Sequence, residues 1–358
     1  MSQIQAIRDF FHTARQEKAR HRDIAAQLGI SEAELLAAHL PSSYQENEAY
    51  FRTIQLRPEW PELIAMTESM GEVMALTRNE SCVHEKTGVY RKVSHQGNTG
   101  LVLGGAIDLR IFYQHWKTGF AVIEEAGEGY QRSLQFFDES GTAVHKIFLK
   151  PQSNVDAYYA LTKHFASGER SPQLEVQTST KNSPERSDDK VDVLGFRTAW
   201  SSLRDTHDFF ALLKNFSVSR TQALRLAPPQ FAQKIEVNCV RDLLENAAQQ
   251  QVPIMVFVSN RGMVQIHSGV VNKVVVMGAW INILDPGFNL HLREDHIAQA
   301  WIVKKPTIDG LVTSVELFDA QGETIAMFFG ERKPGKPELC EWRALIDNLH
   351  QEGTPCLA

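Results

Sequence analysis

The sequence has few cysteines, and the four that it has show no pattern. Cys82, Cys239, Cys340 and Cys356 form no CxxC pair and no regular framework among the 358 residues. This spacing argues against a disulfide scaffold and against a clustered cysteine zinc site. We therefore expect reduced thiols in a cytoplasmic protein.

Long apolar runs and an excess of positive charge are also missing. No apolar segment approaches the roughly 18 residues of a membrane-spanning helix, and the first residues, MSQIQAIRDFFHTARQEKARHRD, lack the apolar core of a signal peptide. The formal net charge is -6, whereas a general nucleic-acid binder usually carries a basic surplus. We expect no membrane span and no general binding of nucleic acid.

Signatures of common enzymes and nucleotide-binding folds are absent as well. The sequence contains no GxGxxG, P-loop, GxSxG or HExxH motif. Classical hydrolases and zinc peptidases are therefore disfavoured. Any redox chemistry would need a reductant from a partner or from solution, because no flavin or nicotinamide fingerprint is present.

A polar stretch divides the chain into two nearly equal parts. Residues 167–193 are rich in Ser, Thr, Pro and charge and show no apolar periodicity, which is typical of a linker. A chain of 358 residues also exceeds one comfortable core. We predict an N-terminal repeat at 1–166, a linker at 167–193 and a C-terminal repeat at 194–358.

The two parts resemble each other. SLQFFDESG (133–141) matches SVELFDAQG (314–322) at an offset of 181, and the same offset pairs Asn79 with Asn260. A second match pairs RDFF (8–11) with HDFF (207–210) at an offset of 199. We interpret this as an internal duplication, with Asp-Phe-Phe as common helix packing and the histidine kept only in the second copy.

The order of apolar patterns predicts an α+β fold. Helices open each copy, strands separated by short Gly- or Asp-containing turns follow, and a helix closes it. Asn260-Arg261-Gly262 is a hairpin signal between two such strands. We predict two homologous halves, each with a large antiparallel β-sheet and helices packed at its ends.

Residues 21–40, HRDIAAQLGISEAELLAAHL, have the pattern of a helix-turn-helix. Gly29 marks the turn, and Ser31 with Glu34 forms a capping-box pattern. The second helix offers no Arg or Lys to meet phosphates. A helical hairpin packed on the sheet is therefore favoured over a DNA-binding element.

His207 stands at the border of the apolar face of a helix expected over residues 202–215. An imidazole there could ligate the metal of a planar cofactor or could simply bond a carbonyl group. Basic residues also follow or interrupt apolar strands: Arg110 in IDLRIF, Lys305 in IVKKPT and Arg332 in FFGERK. They suit either a solvated surface or an aromatic-lined cleft for an acidic ligand.

The segments DTHDFFALLKNFSVSRTQALRLA, IVKKPT, FFGERKPGKPE, RNESCVHEKTGVY and IDLRIF together resemble the HemS/HmuS/ChuS/PhuS family, cytoplasmic haem-utilisation proteins of Gram-negative bacteria. The resemblance covers nearly the whole chain and implies a haem cleft in the C-terminal half. It implies that His207 is the proximal iron ligand and Arg110 the distal arginine. The remaining cofactor-binding positions that it implies are Arg220, Lys305, Phe328, Phe329 and Arg332.

The resemblance leaves two main functions open. One is a haem-binding protein that receives haem through an uptake ABC transporter and delivers it to a downstream acceptor or oxygenase. The other is a haem-degrading enzyme that opens the porphyrin ring with an external electron donor, with Arg110 and His207 as catalytic residues. A DNA-binding regulator that uses residues 21–40 is the weaker third alternative.

Overall fold

The computed structural model describes residues 3–41, 50–177, 185–332 and 335–352. In these ranges the α-helices are α1 (Gln3–Gln16), α2 (His21–Leu28), α3 (Glu32–Ala37), α4 (Trp60–Met66), α5 (Val155–Phe165), α6 (Val193–Ser201), α7 (Asp208–Phe216), α8 (Arg220–Leu226), α9 (Cys239–Gln249) and α10 (Cys340–Glu352). The strands of the first half are β1 (Phe51–Gln55), β2 (Val73–Arg78), β3 (Cys82–Gly88), β4 (Ser94–Gln96), β5 (Thr99–Val102), β6 (Asp108–Phe112), β7 (Thr118–Ala126), β8 (Gly129–Phe137) and β9 (Ala143–Leu149). Those of the second half are β10 (Ala232–Ile235), β11 (Ile254–Asn260), β12 (Met263–Gly269), β13 (Val274–Met277), β14 (Trp280–Asp285), β15 (Phe288–Arg293), β16 (Gln299–Thr307), β17 (Gly310–Phe318) and β18 (Thr324–Gly330).

The strands form two nine-stranded sheets with equivalent orders. One sheet runs β1-β7-β8-β9-β2-β3-β15-β14-β13 and the other β10-β16-β17-β18-β11-β12-β6-β5-β4. The pairs with a described register are antiparallel. The predicted α+β fold with an internal duplication is confirmed. The structure adds that three strands of each half belong to the sheet that the other half begins.

A pair of asparagines shows the duplication at atomic detail. Asn79 Nδ2 donates to the carbonyl oxygens of Ser259 at 3.1 Å and Ile325 at 2.8 Å. Asn260 Nδ2 donates to those of Arg78 at 3.0 Å and Val144 at 2.8 Å. Each residue of the first set has its counterpart 181 positions away in the second. The predicted hairpin turn after Asn260 therefore has an equivalent after Asn79.

The helices that open each half also correspond, but not as the RDFF and HDFF match predicts. Ser31 caps α3 and Ser219 caps α8, and each side chain accepts a backbone N–H from three residues ahead. The preceding helices, α2 and α7, both end at a residue in the left-handed conformation, Gly29 and Ser217. Thus α7 is the counterpart of α2, and α1 that of α6. The pairing at offset 199 is wrong, because RDFF lies in the first helix of its trio and HDFF in the second.

The two Asp-Phe-Phe phrases also bury different rings. In α1 the second phenylalanine, Phe11, is buried, and Phe10 is exposed. In α7 the first, Phe209, is buried, and Phe210 is 76% exposed. Shared packing of Asp-Phe-Phe is therefore not what the sequence match reflects.

The helix-turn-helix pattern folds as the favoured helical hairpin. Ser31 and Glu34 form the predicted capping box. Within α3, however, the residues at 32, 33, 35, 36 and 37 are all buried. A helix buried in this way has no free face with which to enter a DNA groove, so the structure argues against the DNA-binding alternative.

The chain divides into two compact units. One comprises Met1–Arg78, Glu85–Thr180 and Asn260–Gln265, and the other Asn79–His84, Lys181–Ser259 and Ile266–Ala358. The predicted boundaries at 166 and 193 stay a prediction. Within the second unit, the end of the predicted linker is tied to α8, because Arg225 forms ion pairs with Glu185 and Asp188, both at 2.7 Å.

In the second unit, helices cover both faces of the sheet. Ile302 of β16 joins the core that α9 and α10 share with the strands, and the next residue, Val303, joins the core that contains α6, α7 and α8. Successive side chains of a strand point to opposite faces, so the two helical groups lie on opposite sides. The trio α6–α8 carries His207 and Arg220 and thus positions the candidate site. Among the described residues, no helix is long and apolar enough to cross a membrane.

Candidate functional site

His207 lies in a turn just before α7 rather than inside a helix. The predicted helix over 202–215 is wrong at its start, since α6 ends at Ser201 and α7 begins at Asp208. Asp205 explains the interruption: its Oδ1 accepts the backbone N–H of His207 at 2.8 Å and pairs with the ring Nδ1 at 2.6 Å. A short acidic side chain that binds nearby backbone groups competes with helix formation.

The same contact orients the imidazole ring. A carboxylate accepts hydrogen bonds, so Nδ1 of His207 donates to Asp205, and in the neutral imidazole Nε2 then carries the lone pair. The backbone N–H of His207 and then its side chain hold the pKa of Asp205 below its usual range. The side chain of His207 is 89% exposed. This is the arrangement of a metal-ligating histidine with a supporting carboxylate.

The described surroundings of His207 do not form a cluster of metal ligands. In the described ranges, no group of three or more His, Cys, Asp and Glu side chains could hold a metal ion. A single imidazole suits a metal whose other positions are filled by the ligand itself, such as the iron of a macrocycle. The donor set therefore fits haem iron better than a free divalent ion.

Two neighbouring phenylalanines of α7 differ in their exposure to solvent. Phe209 is buried against Trp200 of α6, with ring centroids 4.7 Å apart. Phe210 lies three residues after His207 and exposes 76% of its surface. His207 is the N-cap of α7 and has right-handed helical backbone angles, φ -70° and ψ -24°. Residues 207 and 210 therefore share a face, so an apolar ring accompanies the exposed imidazole. Such a ring in water suits contact with an apolar ligand.

Beneath α7, Arg220 and Lys305 meet a buried carboxylate, Glu316 on β17. Glu316 accepts hydrogen bonds from Arg220 Nε at 2.7 Å and Nη2 at 2.8 Å, from Lys305 Nζ at 2.7 Å and from Ser314 Oγ at 2.9 Å. The side chain of Glu316 is fully buried, that of Lys305 is 4% exposed and that of Arg220 is 26% exposed. The structure thus brings the two predicted basic residues together around one acidic residue, Glu316.

The charges of this cluster are strongly coupled. Burial alone would raise the pKa of Glu316, but Arg220 and Lys305 outweigh it and hold the pKa below its ordinary range. Burial lowers the pKa of Lys305 to about 8, although Glu316 opposes the shift. The carboxylate is therefore ionised at neutral pH and offsets one of the two cations.

The sequence interpretation did not single out Glu316. Its signal is a lone acidic residue between Val315 and Leu317 in SVELF, a segment quoted only as evidence of the repeat. Buried carboxylates are rare unless they are paired. An acidic residue in a strand so apolar is therefore a sign of a buried cation.

Aromatic rings connect the charged cluster to the helix that follows His207. The ammonium of Lys305 lies 4.6 Å from the ring centroid of Phe209 and 5.9 Å from that of Phe329. The guanidinium of Arg220 lies 5.2 Å from the ring centroid of Phe209. Cations at these distances are attracted to the faces of aromatic rings. Phe209, two residues after His207, is thus held from below by both cations.

Phe328 does not join this group. It is fully buried in the core that α9 and α10 share with the strands, whereas Phe329 faces Lys305. The cause is the alternation of side chains along β18. The prediction that Phe328 contacts the cofactor is therefore corrected: its side chain packs in the core on the opposite face of the sheet.

Arg332, after β18, pairs with Asp309 and acts electrostatically on Asp205, the acidic partner of His207. Its Nη2 is 3.5 Å from an Asp309 carboxylate oxygen, and its charge contributes to the lowered pKa of Asp205. The structure therefore places Arg332 in the electrostatic surroundings of His207, within the same unit.

Arg110 lies in the first unit, on β6. Its neighbours Leu109 and Ile111 are buried, and its own side chain is 34% exposed. Its Nη1 donates to the carboxylate of Asp108 and, at 3.2 Å, to the carbonyl oxygen of Leu109. Strand alternation explains how a basic side chain occupies this apolar sequence.

Comparison with known proteins gives a consistent result. A family profile described as the Haemin-degrading HemS.ChuX domain matches twice, at residues 29–165 and 217–349. The hemin transport protein HmuS of Yersinia pestis is 39% identical over 340 residues, which cover 93% of this chain and 95% of the relative.

Two solved structures are similar over almost the full length. Holo-PhuS, a heme-binding protein from Pseudomonas aeruginosa, is 42% identical with a TM-score of 0.89, and 96% of each chain is covered. ChuS, described as an E. coli heme oxygenase, is 36% identical with a TM-score of 0.81, over 92% of this chain and 95% of that one.

Proposed function

Because the chain belongs to the family of the Haemin-degrading HemS.ChuX domain, we propose that it is a cytoplasmic haem-binding protein that delivers haem for iron release. The observation that carries the proposal is the exposed imidazole of His207, whose Nδ1 is held by Asp205. Nε2 is then available as the proximal ligand of haem iron.

The other residues have proposed roles that follow from their chemistry. Arg220, Lys305 and Arg332 supply positive charge for the propionate groups. Phe329 supplies an aromatic surface beside these cations. Arg110 is proposed as the distal residue because of the family resemblance, with its guanidinium available to donate hydrogen bonds.

The test of the ligand is a haem titration of the purified protein. His207→Ala should shift the Soret band and raise the haem dissociation rate, because the iron loses its protein ligand. His164→Ala is the control, since His164 is an exposed histidine on α5. An unchanged spectrum and dissociation rate in His207→Ala would remove His207 as the ligand.

A second candidate function is degradation of the bound haem. It is favoured by the description of ChuS as a heme oxygenase and would assign catalytic roles to His207 and Arg110. The bound haem would supply the iron, and ring opening would consume dioxygen from solution and electrons from an external donor.

The two functions are separated by incubating the haem complex with an electron donor in the presence of catalase. A tetrapyrrole product and released iron support degradation, and their absence supports delivery alone. Breakdown that catalase suppresses is coupled oxidation and does not count as enzymatic.

The partners belong to the same proposal. Haem would arrive through an uptake ABC transporter and leave for a haem acceptor or oxygenase. Regulation by DNA binding through residues 21–40 receives no support, because α3 is buried and the chain carries a net charge of -6.

A further inference from the structure

Glu316 is unusual because it is a buried acid in the place where an acidic ligand is expected to meet basic groups. Its two oxygens accept four hydrogen bonds, from Arg220 twice, from Lys305 and from Ser314. Oε1 accepts three of them and Oε2 accepts one. Glu316 therefore already occupies the position that a ligand carboxylate would otherwise take between the two cations.

The two cations differ in what remains for a ligand. Lys305 exposes only 4% of its side chain, and its ammonium is enclosed by Glu316 and the face of Phe209. Arg220 exposes 26%, and Glu316 takes its Nε and Nη2 groups. A ligand carboxylate can therefore approach Arg220 but has little access to Lys305.

We propose that Glu316 is a specificity-determining and positioning residue: it holds Arg220 and Lys305 against Phe209 and reduces their combined charge, so that the cluster pairs with a single carboxylate of the ligand. This inference rests on the proposed haem-binding function. Two cations and one carboxylate leave one net positive charge, which matches one propionate. The second propionate must be balanced elsewhere or remain in solvent.

The proposal predicts an order of ligand selectivity set by the charge of the cluster. Lys305→Met leaves a net charge of zero, the natural protein has one positive charge, and Glu316→Gln has two. Lys305→Met/Glu316→Gln returns the charge to one. The probes are iron protoporphyrin IX and its dimethyl ester in the same detergent, because the ester lacks both carboxylates and keeps the iron.

The measured quantity is the Kd of the ester divided by the Kd of haem. We expect this ratio to rise about fivefold for Glu316→Gln and to fall about fivefold for Lys305→Met, which is the size of a partly exposed ion pair. The double variant should return to the natural ratio. The affinity of Glu316→Gln for haem should also fall more steeply with salt than that of the natural protein.

Glu245→Gln is the matched control, because Glu245 is an exposed acid on α9 in the same half. It changes the total charge equally and should leave the ratio unchanged. Thermal unfolding reports whether each variant is folded. If Glu316→Gln does not fold, the comparison of Lys305→Met with the natural protein and the double variant still tests the order.

The outcomes separate the two levels of inference. If the natural protein binds neither porphyrin, the proposed function is wrong. If it binds haem but the folded variants show the natural ratio and salt dependence, Glu316 has only a structural role and the inference is overturned. A purely structural role would change both affinities equally and would not move the ratio.

Discussion

The buried ring of Phe209 should determine the stability of the helical trio that carries His207. The ring is 2% exposed and packs against Trp200, Arg220 and Lys305. Phe209→Ala removes a core ring, which costs about 3–5 kcal/mol in folded proteins. It also removes the aromatic face beneath two cations, worth roughly 1–2 kcal/mol at a desolvated site. The total expected loss of unfolding free energy is about 4–7 kcal/mol.

Phe210→Ala is the matched control, because it removes the same ring from the next position. Phe210 is 76% exposed, so its loss should change the unfolding free energy by less than about 0.5 kcal/mol. If this ring covers haem as its place beside His207 suggests, the same variant should release haem faster. We therefore expect Phe209→Ala to lower the stability strongly, and Phe210→Ala to leave the stability nearly unchanged and to speed haem release.

The assay is urea unfolding followed by far-UV circular dichroism and by tryptophan fluorescence. Two probes are needed because a chain with two compact units can unfold in more than one step. The reasoning is refuted if Phe209→Ala loses less than about 1 kcal/mol, or if Phe210→Ala destabilises the protein as much as Phe209→Ala does.

Three further predictions concern the first half and the repeat. In α1 the order of the two rings is reversed, so Phe11→Ala should cost about 3–5 kcal/mol and Phe10→Ala much less in the same unfolding assay. Burial lowers the pKa of His39 to about 4, so the unfolded state takes up its proton first as the pH falls below about 6.5. The stability due to neutral His39 is complete above that pH and is lost as the pH falls towards 4. The loss in unfolding free energy between pH 7 and pH 5 should be about 2 kcal/mol. His39→Gln should lose correspondingly less stability over that interval, and an equal loss would contradict the assignment. Asn79→Ala and Asn260→Ala each remove the donor to two backbone carbonyls. Each should lower the unfolding free energy by about 2–3 kcal/mol. Losses that differ between the two variants by more than about 2–3 kcal/mol would show that the two turns are not equivalent.

Much of the fold follows from local sequence. The hairpin turn at Asn260 and the capping box at Ser31 depend on residues within a few positions of each other, and both are present. The duplication is visible because both copies keep the same turn residues. These features were predictable because neighbouring residues alone determine them.

The rest depends on contacts between distant parts of the chain. The start of α7 moves to residue 208 because Asp205 binds the backbone and ring of His207, an alternative that helical periodicity does not reveal. The separation of Phe328 from Phe329 requires the orientation of β18 in the sheet. The importance of Glu316 depends on cations that lie 96 and 11 positions away.

The order of strands also has a consequence for the integrity of the chain. Strands β4–β6 belong to the sheet of β10–β12 and β16–β18, while β13–β15 belong to the sheet of β1–β3 and β7–β9. Each half therefore contributes strands to both sheets. Residues 1–166 and 194–358, if produced separately, would each lack three strands of the sheet that they begin and would leave an unpaired edge.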